Sequence, residues 1–249
     1  VLAAIEELDY QPNPLARGLA GGTSRTIGVV TQDISSPFYD AILRGIRQGL
    51  NHTDYLPLFA DGYWQVHKEK QAIQTLLNRQ VDGLIVLGGV IPEDYLVHLS
   101  HQIPLVVVGR NLPALAHQVV YLDNFTGAYK ATQYLLELGH RRIVHITGIL
   151  SHQDAIERRD GYRQAMSDAG LSPDPDLIIE GDFMESTGMM AVEMLFTRGR
   201  PFSAIFAAND QMAIGARLAL YRRGIRVPDD VSLIGFDDQL NAAYITPPL

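Results

Sequence analysis

The stretch IFAANDQMAIGARLALYRRGIRVPDDVSLIGFDD, residues 205–238, decides how the chain folds. Ile205-Phe-Ala-Ala208 is short and apolar, as a parallel strand covered on both faces must be. Asn209 and Asp210 follow at once and can cap a helix. Met212, Gly215, Ala216, Ala219 and Leu220 then recur at helical spacing on one face. Gly224 ends that helix, and Pro228-Asp-Asp230 makes a turn. Residues 231–236 read as a second buried strand, with Asp237 and Asp238 at its end. The stretch is one βαβ unit with polar residues after both strands, where open parallel sheets take ligands. Asn209 and Asp237 are therefore expected to face one crevice.

Working outward, the same alternation of strand and helix fills the chain. Strands are expected at 27–30, 56–60, 83–87, 104–109 and 119–122, with helices between them, including one over 68–79. The pattern restarts at Asp123-Asn124 with a helix to residue 138, a strand at 143–147, helices over 156–169 and 187–198, and a strand at 177–179. The fold class is α/β: two Rossmann-like, doubly wound parallel-sheet halves. A small helical piece precedes them: residues 1–8 are amphipathic, Asn13-Pro14 can start a second short helix, and Gly21-Gly-Thr-Ser24 reads as a linker. The pattern opens in mid-helix and closes just after a strand, so further segments are expected on both sides.

Composition narrows the function. The 249 residues are 47% hydrophobic and 19% charged, and no apolar run reaches the ~18 residues of a membrane span. With no Cys, disulfides and thiolate metal sites are out. The residues at the start lack the basic and apolar regions of a signal peptide, and a cytoplasmic location is expected. A formal charge of −8 argues against broad nonspecific nucleic-acid affinity in these residues themselves.

No dinucleotide-type glycine loop, Walker loop or Gly-x-Ser-x-Gly is present, and no nucleophile–base pair stands out, so neither catalysis nor a cofactor is expected. His98 and His101 could share a helix face, but no third metal ligand accompanies them. Arg110, Asp123, Arg158, Asn209 and Asp237 form a better constellation: guanidinium, carboxylate and amide groups at strand ends suit a neutral polyhydroxyl ligand, whose hydroxyls both donate and accept. Phe38 and Phe183 could supply apolar walls. Taken singly, each has a plainer reading, an Asp after a strand as a helix cap and Phe38 as core; Tyr63 and Trp64 read as surface or loop aromatics.

At this point the chain resembles the lactose/galactose repressor (LacI/GalR) family of bacterial transcription regulators. The motifs are Ala3-Ala-Ile-Glu-Glu-Leu-Asp-Tyr-Gln-Pro-Asn13, Ala16-Arg-Gly-Leu19, Ile27-Gly-Val-Val30, Val81-Asp-Gly-Leu-Ile85, Asp123-Asn124, Arg158-Arg-Asp-Gly-Tyr162, Ala208-Asn-Asp-Gln-Met-Ala213, Val227-Pro-Asp-Asp-Val231, Gly235-Phe-Asp-Asp238 and Pro247-Pro-Leu249. The resemblance implies the end of a helix-turn-helix headpiece, a hinge helix and a linker over 1–26. It implies a periplasmic-binding-protein-like effector core with halves at 27–123 and 124–240, and a crossover back toward the first half at 241–249. Asn13, Ala16, Arg17 and Leu19 are the hinge residues it assigns to DNA, with Leu19 as a minor-groove wedge. Phe38, Arg110, Asp123, Arg158, Phe183, Asn209 and Asp237 are those it assigns to an effector held between the halves, with Arg158 and Asp237 gripping it from opposite sides. Operator DNA, a carbohydrate effector and a second copy of the chain are the implied partners, with no membrane. The residues fit a sugar or glycoside better than a purine, though none decides between them. The alternatives are a periplasmic-type sugar-binding protein of a transport system and a Rossmann-type enzyme.

Overall fold

The computed structural model of the chain describes residues 22–249. The short helix expected at 1–8 and the hinge residues Asn13, Ala16, Arg17 and Leu19 lie outside the described residues. The described residues divide into two compact units, the first ending at Leu122 and the second running Asp123–Leu249.

In the first unit, β1 (Thr26–Thr31), α1 (Pro37–Leu50), β2 (Leu56–Asp61), α2 (Val66–Asn78), β3 (Gly83–Leu87), α3 (Glu93–Ser100), β4 (Leu105–Val108) and β5 (Val119–Val120) follow in order. Every strand pairing is parallel, in the order β2-β1-β3-β4-β5. Neighbouring residues of β1 serve opposite faces. Val29 packs with Tyr39 and Leu43 of α1, and Val30 with Ala72, Ile73 and Leu76 of α2. Both faces are covered, which is why the strand is apolar without alternation. β2 departs from that reading: it is an edge strand, and its Leu56 and Leu58 are exposed.

The second unit runs α4 (Asn124–Glu137), β6 (Ile143–Thr147), α5 (Gln153–Asp168), β7 (Ile178–Glu180), α6 (Glu185–Thr197), β8 (Ala204–Ala207), α7 (Asp210–Arg222) and β9 (Ser232–Ile234). Its sheet is parallel in the order β7-β6-β8-β9. α4 and α5 pack together on one face over Ile143, Ala204 and Phe206; α6 and α7 cover the other over Val144, Ile146 and Ile205. The expected α/β class with two doubly wound parallel sheets is the one observed. The strand expected at 231–236 shortens to Ser232–Ile234 and is only half-buried, because β9 is an edge with one neighbour.

Three features hold the second sheet in place. His140 bridges the amino ends of β8 and β9, with Nδ1 2.8 Å from Ser203 Oγ and Nε2 3.0 Å from Ser232 Oγ. His145, wholly buried in β6, stacks between Tyr162 and Phe206 and hydrogen-bonds the Phe206 carbonyl at 3.0 Å through Nδ1. Burial pulls its pKa down to about 4, so it is a neutral core histidine. Gly188 of α6 and Gly215 of α7 let the two helices meet backbone to backbone: a Cβ on Gly188 would overlap the Met212 carbonyl, and one on Gly215 the Glu185 carbonyl. Among the described residues, no helix is long and apolar enough to cross a membrane.

Candidate functional site

In the second unit, the loops after the strands carry Phe183, Asn209 and Asp237 at the carboxyl end of the sheet. Arg158 is not at a strand end. It lies within α5, on the helix face that also buries Ala155, Tyr162 and Ala165. Its side chain is 4% exposed, and each of its three nitrogens has a partner. Nε donates to Asn124 Oδ1 at 2.9 Å, Nη1 donates to the Ala208 carbonyl, Nη2 lies 3.3 Å from Asp237 Oδ1, and the guanidinium carbon sits 4.0 Å from the centre of the Phe236 ring. Arg159, one residue on, turns outward and pairs with Asp160.

Asp237 follows β9 with φ 97°, and Asp238 continues at φ 53°. This left-handed pair swings the Asp237 carboxylate onto Arg158 instead of letting the strand run on. The two residues expected to grip a ligand from opposite sides therefore sit in one unit, in contact with each other. Asp237 Oδ1 accepts no hydrogen bond beyond that ion pair. Burial pushes the carboxyl up to about 7; Arg158 opposes the shift, while the carboxylates of Asp210 and Asp154 add to it. Asp210 is itself raised, chiefly by burial, and accepts from the Gln239 amide at 2.7 Å.

Asn209 is the cap of α7: Oδ1 accepts from the Met212 amide at 3.0 Å while Nδ2 donates to the Phe183 carbonyl at 2.9 Å. It ties the β7 and β8 loops together, and Phe183 follows with φ 71°. The Phe183 ring lies over Gly148, where any Cβ would collide with it, and stacks on His152 at 6.2 Å. Asp123 is exposed and caps α4, accepting from the Thr126 amide at 2.9 Å; that hydrogen bond holds its pKa below the usual carboxylate range.

In the first unit, Arg110 follows β4 and donates to the Ile91 carbonyl at 2.7 Å. Burial lowers its pKa, and Glu69 and Glu93 pull it back up. Glu69 reaches the same loop from α2: its wholly buried carboxylate accepts from the amides of Val90 at 2.9 Å and Ile91 at 3.1 Å. Burial raises its pKa against those bonds and the Arg110 charge. Phe38, at the start of α1, is half-buried with its ring edge-on to Tyr39 at 5.2 Å.

Gln32 and Glu69 are buried polar residues that no sequence signal singled out, and Asn124, part of the Asp123-Asn124 motif, is buried as well. Gln32 bonds the Leu87 carbonyl at 3.1 Å and the Trp64 amide at 2.9 Å. Tyr63 and Trp64 take consecutive left-handed conformations, at φ 55° and 54°, at a cost of about 1–3 kcal/mol each. Trp64 is half-buried and packs with the β1, β3 and α1 core, so it is not a loose surface aromatic. His98 hydrogen-bonds Gln102, and among the described residues no group of three metal-ligating side chains forms.

Residues 24–244 match the family described as periplasmic binding proteins and sugar-binding domain of the LacI family. The chain belongs to the LacI family. It is 39% identical to the HTH-type transcriptional regulator GalR of Escherichia coli (strain K12), over 100% of this chain and 73% of the relative. Identity to the HTH-type transcriptional repressor CytR of the same organism is 36%, over 99% of this chain and 72% of the relative. Among solved structures, a complex of the transcriptional regulator CelR with cellobiose aligns at 32% identity with a TM-score of 0.78, over 99% of this chain and 75% of that one. A sugar-binding LacI-family regulator from Escherichia coli aligns at 33% identity with a TM-score of 0.80, over 92% and 84%. As a LacI-family member the chain is an effector-controlled transcriptional regulator, neither an enzyme nor a transport binding protein.

Proposed function

We propose that the chain is the effector-binding core of a repressor whose grip on operator DNA is set by a sugar or glycoside bound at the carboxyl ends of the parallel sheets. The buried Arg158–Asp237 contact carries this reading. It presents a guanidinium and a carboxylate oxygen with unused acceptor capacity side by side, and a hydroxyl group meets both needs. Asn209 and Phe183 shape the loops around it, and Arg110, Asp123 and Phe38 complete the assigned set. The CelR complex with cellobiose supports a carbohydrate.

The ionised form of Asp237 is the one that accepts a hydroxyl proton donor. With the carboxyl at about 7, effector affinity rises as pH climbs through that value. At pH 6 only about a tenth of the carboxyl is ionised, so binding should be roughly tenfold weaker than at pH 8. Calorimetry at the two pH values checks this, and Asp237→Asn should remove the dependence. An unchanged Kd across the range would mean that Asp237 does not meet the ligand as a carboxylate.

On the DNA side, a helix-turn-helix protein reads two-fold operators as a pair, so the functional state is a homodimer acting in the cytoplasm. A coupling of ~1–3 kcal/mol between effector and operator would change DNA affinity about 5–150-fold. The direct test is a gel-shift of the gene product with its headpiece, with and without effector. Leu19→Ala should lose specific DNA affinity and keep effector affinity, as a wedge in the minor groove requires. Ultracentrifugation of the same protein at micromolar concentration should show a dimer. A monomer there that still gave an effector-insensitive shift would overturn the regulatory scheme.

A further inference from the structure

Three observations in the first unit converge on Trp64, the chain's single tryptophan. It stands just beyond β2, at the end of the parallel sheet where ligands bind. It is held there against conformational preference, because both it and Tyr63 are left-handed, which bulky side chains avoid. The hold comes from a wholly buried amide: Gln32 Oε1 accepts from the Trp64 amide at 2.9 Å, Gln32 Nε2 donates to the Leu87 carbonyl at 3.1 Å, and the Gln32 carbonyl accepts from the Tyr63 amide at 3.1 Å.

The result is an aromatic ring system placed over the loop that follows β3. A Cβ at Gly88 would stand 3.3 Å from Trp64 Cη2 and 3.0 Å from Tyr39 Oη, so the indole and the phenol both lie against a stretch of backbone left bare by glycine. Gly88 and Gly89 are left-handed in turn. Strain kept at a ligand-binding edge points to a functional position.

We propose that Trp64 is a specificity-determining residue of the effector site, selecting a pyranose by the C–H face of its ring. This rests on the reading that a carbohydrate binds at this end of the sheets. An indole presents a wide, rigid, apolar surface with little conformational freedom to lose, and a pyranose has a flat face of C–H groups to lay on it. An acyclic polyol carries the same hydroxyls without that face, so Trp64 discriminates against it.

The lone tryptophan makes the contact directly observable. The 249-residue chain is titrated with D-glucose, D-galactose, cellobiose and, as the acyclic probe, sorbitol, by calorimetry and by tryptophan emission. The expected result is that a pyranoside binding by calorimetry also shifts the emission and protects it from acrylamide, with the same midpoint, while sorbitol does neither. Trp64→Leu should weaken that pyranoside about tenfold or more, and Trp64→Phe should restore it to within about threefold of the starting protein. The wild-type emission titration needs no variant, so a Trp64→Leu protein that failed to fold would not stall the test. Binding by calorimetry that left emission and quenching unchanged would overturn the role of Trp64 and leave the carbohydrate reading standing. Sorbitol bound as tightly as the pyranoside would do the same. If none of the sugars bound, the carbohydrate reading would fall first, and this one with it.

Discussion

Arg158→Ala should cost the second unit ~3–5 kcal/mol of unfolding free energy at pH 8, the usual penalty for removing one partner of a buried ion pair. The loss is large because the guanidinium reaches Asn124 on α4, the Ala208 carbonyl after β8 and Asp237 after β9 while covering Phe236. Without it a carboxylate is left buried and unpaired. The pH dependence identifies the cause. Asp237 has a folded value of about 7 against an ordinary 3.8, so its contribution to stability is in place at low pH and is lost as pH rises through 7. The variant, lacking the cation, keeps the carboxyl protonated to higher pH. Its deficit relative to wild type should therefore be about 1.4 kcal/mol smaller at pH 6 than at pH 8. Urea unfolding at both pH values measures this. Replacing both partners, Arg158→Met with Asp237→Leu, should recover most of the stability and none of the effector binding. A single Arg158→Ala loss under ~1 kcal/mol at pH 8 would show that the guanidinium is not what joins these loops.

The second large effect is expected at the crossing of α6 and α7. Gly188→Ala or Gly215→Ala should destabilise by ~1–3 kcal/mol and lower the Tm on the order of 5–10 °C. Alanine is the better helix former by ~1 kcal/mol, so propensity alone predicts the opposite sign. Overlap wins because the atoms in the way are main-chain carbonyls of Met212 and Glu185, which cannot rotate aside. Only separation of the helices relieves the clash, and that opens the core around Val192, Ala213 and Ala216. Gly45 and Gly49 on the exposed side of α1 are the matched control. A Cβ there meets nothing within 4 Å, so alanine should add ~0.4–1 kcal/mol. Thermal melts of the four variants decide it; equal shifts at all four positions would mean that close approach plays no part.

The architecture is legible in the sequence because a strand covered on both faces leaves a continuous apolar run, and the helices between such runs carry a 3.6-residue stripe. Edges are less legible. β9 has the composition of an inner strand, and only the strand order shows that it has one neighbour; in β2 the available signal is Pro57, which has no N–H for a second neighbour. Arg158 rather than Arg159 holds the position that the family motif assigns, three residues before Gly161, and in the structure it shares the buried helix face with 155, 162 and 165. What Arg158 touches does not follow, because Asn124, Ala208 and Asp237 are far away in sequence and meet only when the sheet is assembled. Glu69 escapes sequence reading for a related reason. It falls in line with Ala72, Ile73 and Leu76, but a carboxylate in a helix reads as solvated until its main-chain partners at 90 and 91 are seen.

Glu69 also fixes how freely its loop can vary. Glu69 and Arg110 grip the loop after β3 by its peptide groups: the Val90 and Ile91 amides from one side, the Ile91 carbonyl from the other. Neither grip uses a side chain of the loop itself. Ile91 is committed to the core, whereas Val90 is only half-buried. The loop's path is thus decoupled from the identity of the residue it displays. The side chain at position 90 can therefore vary without moving the backbone that carries it.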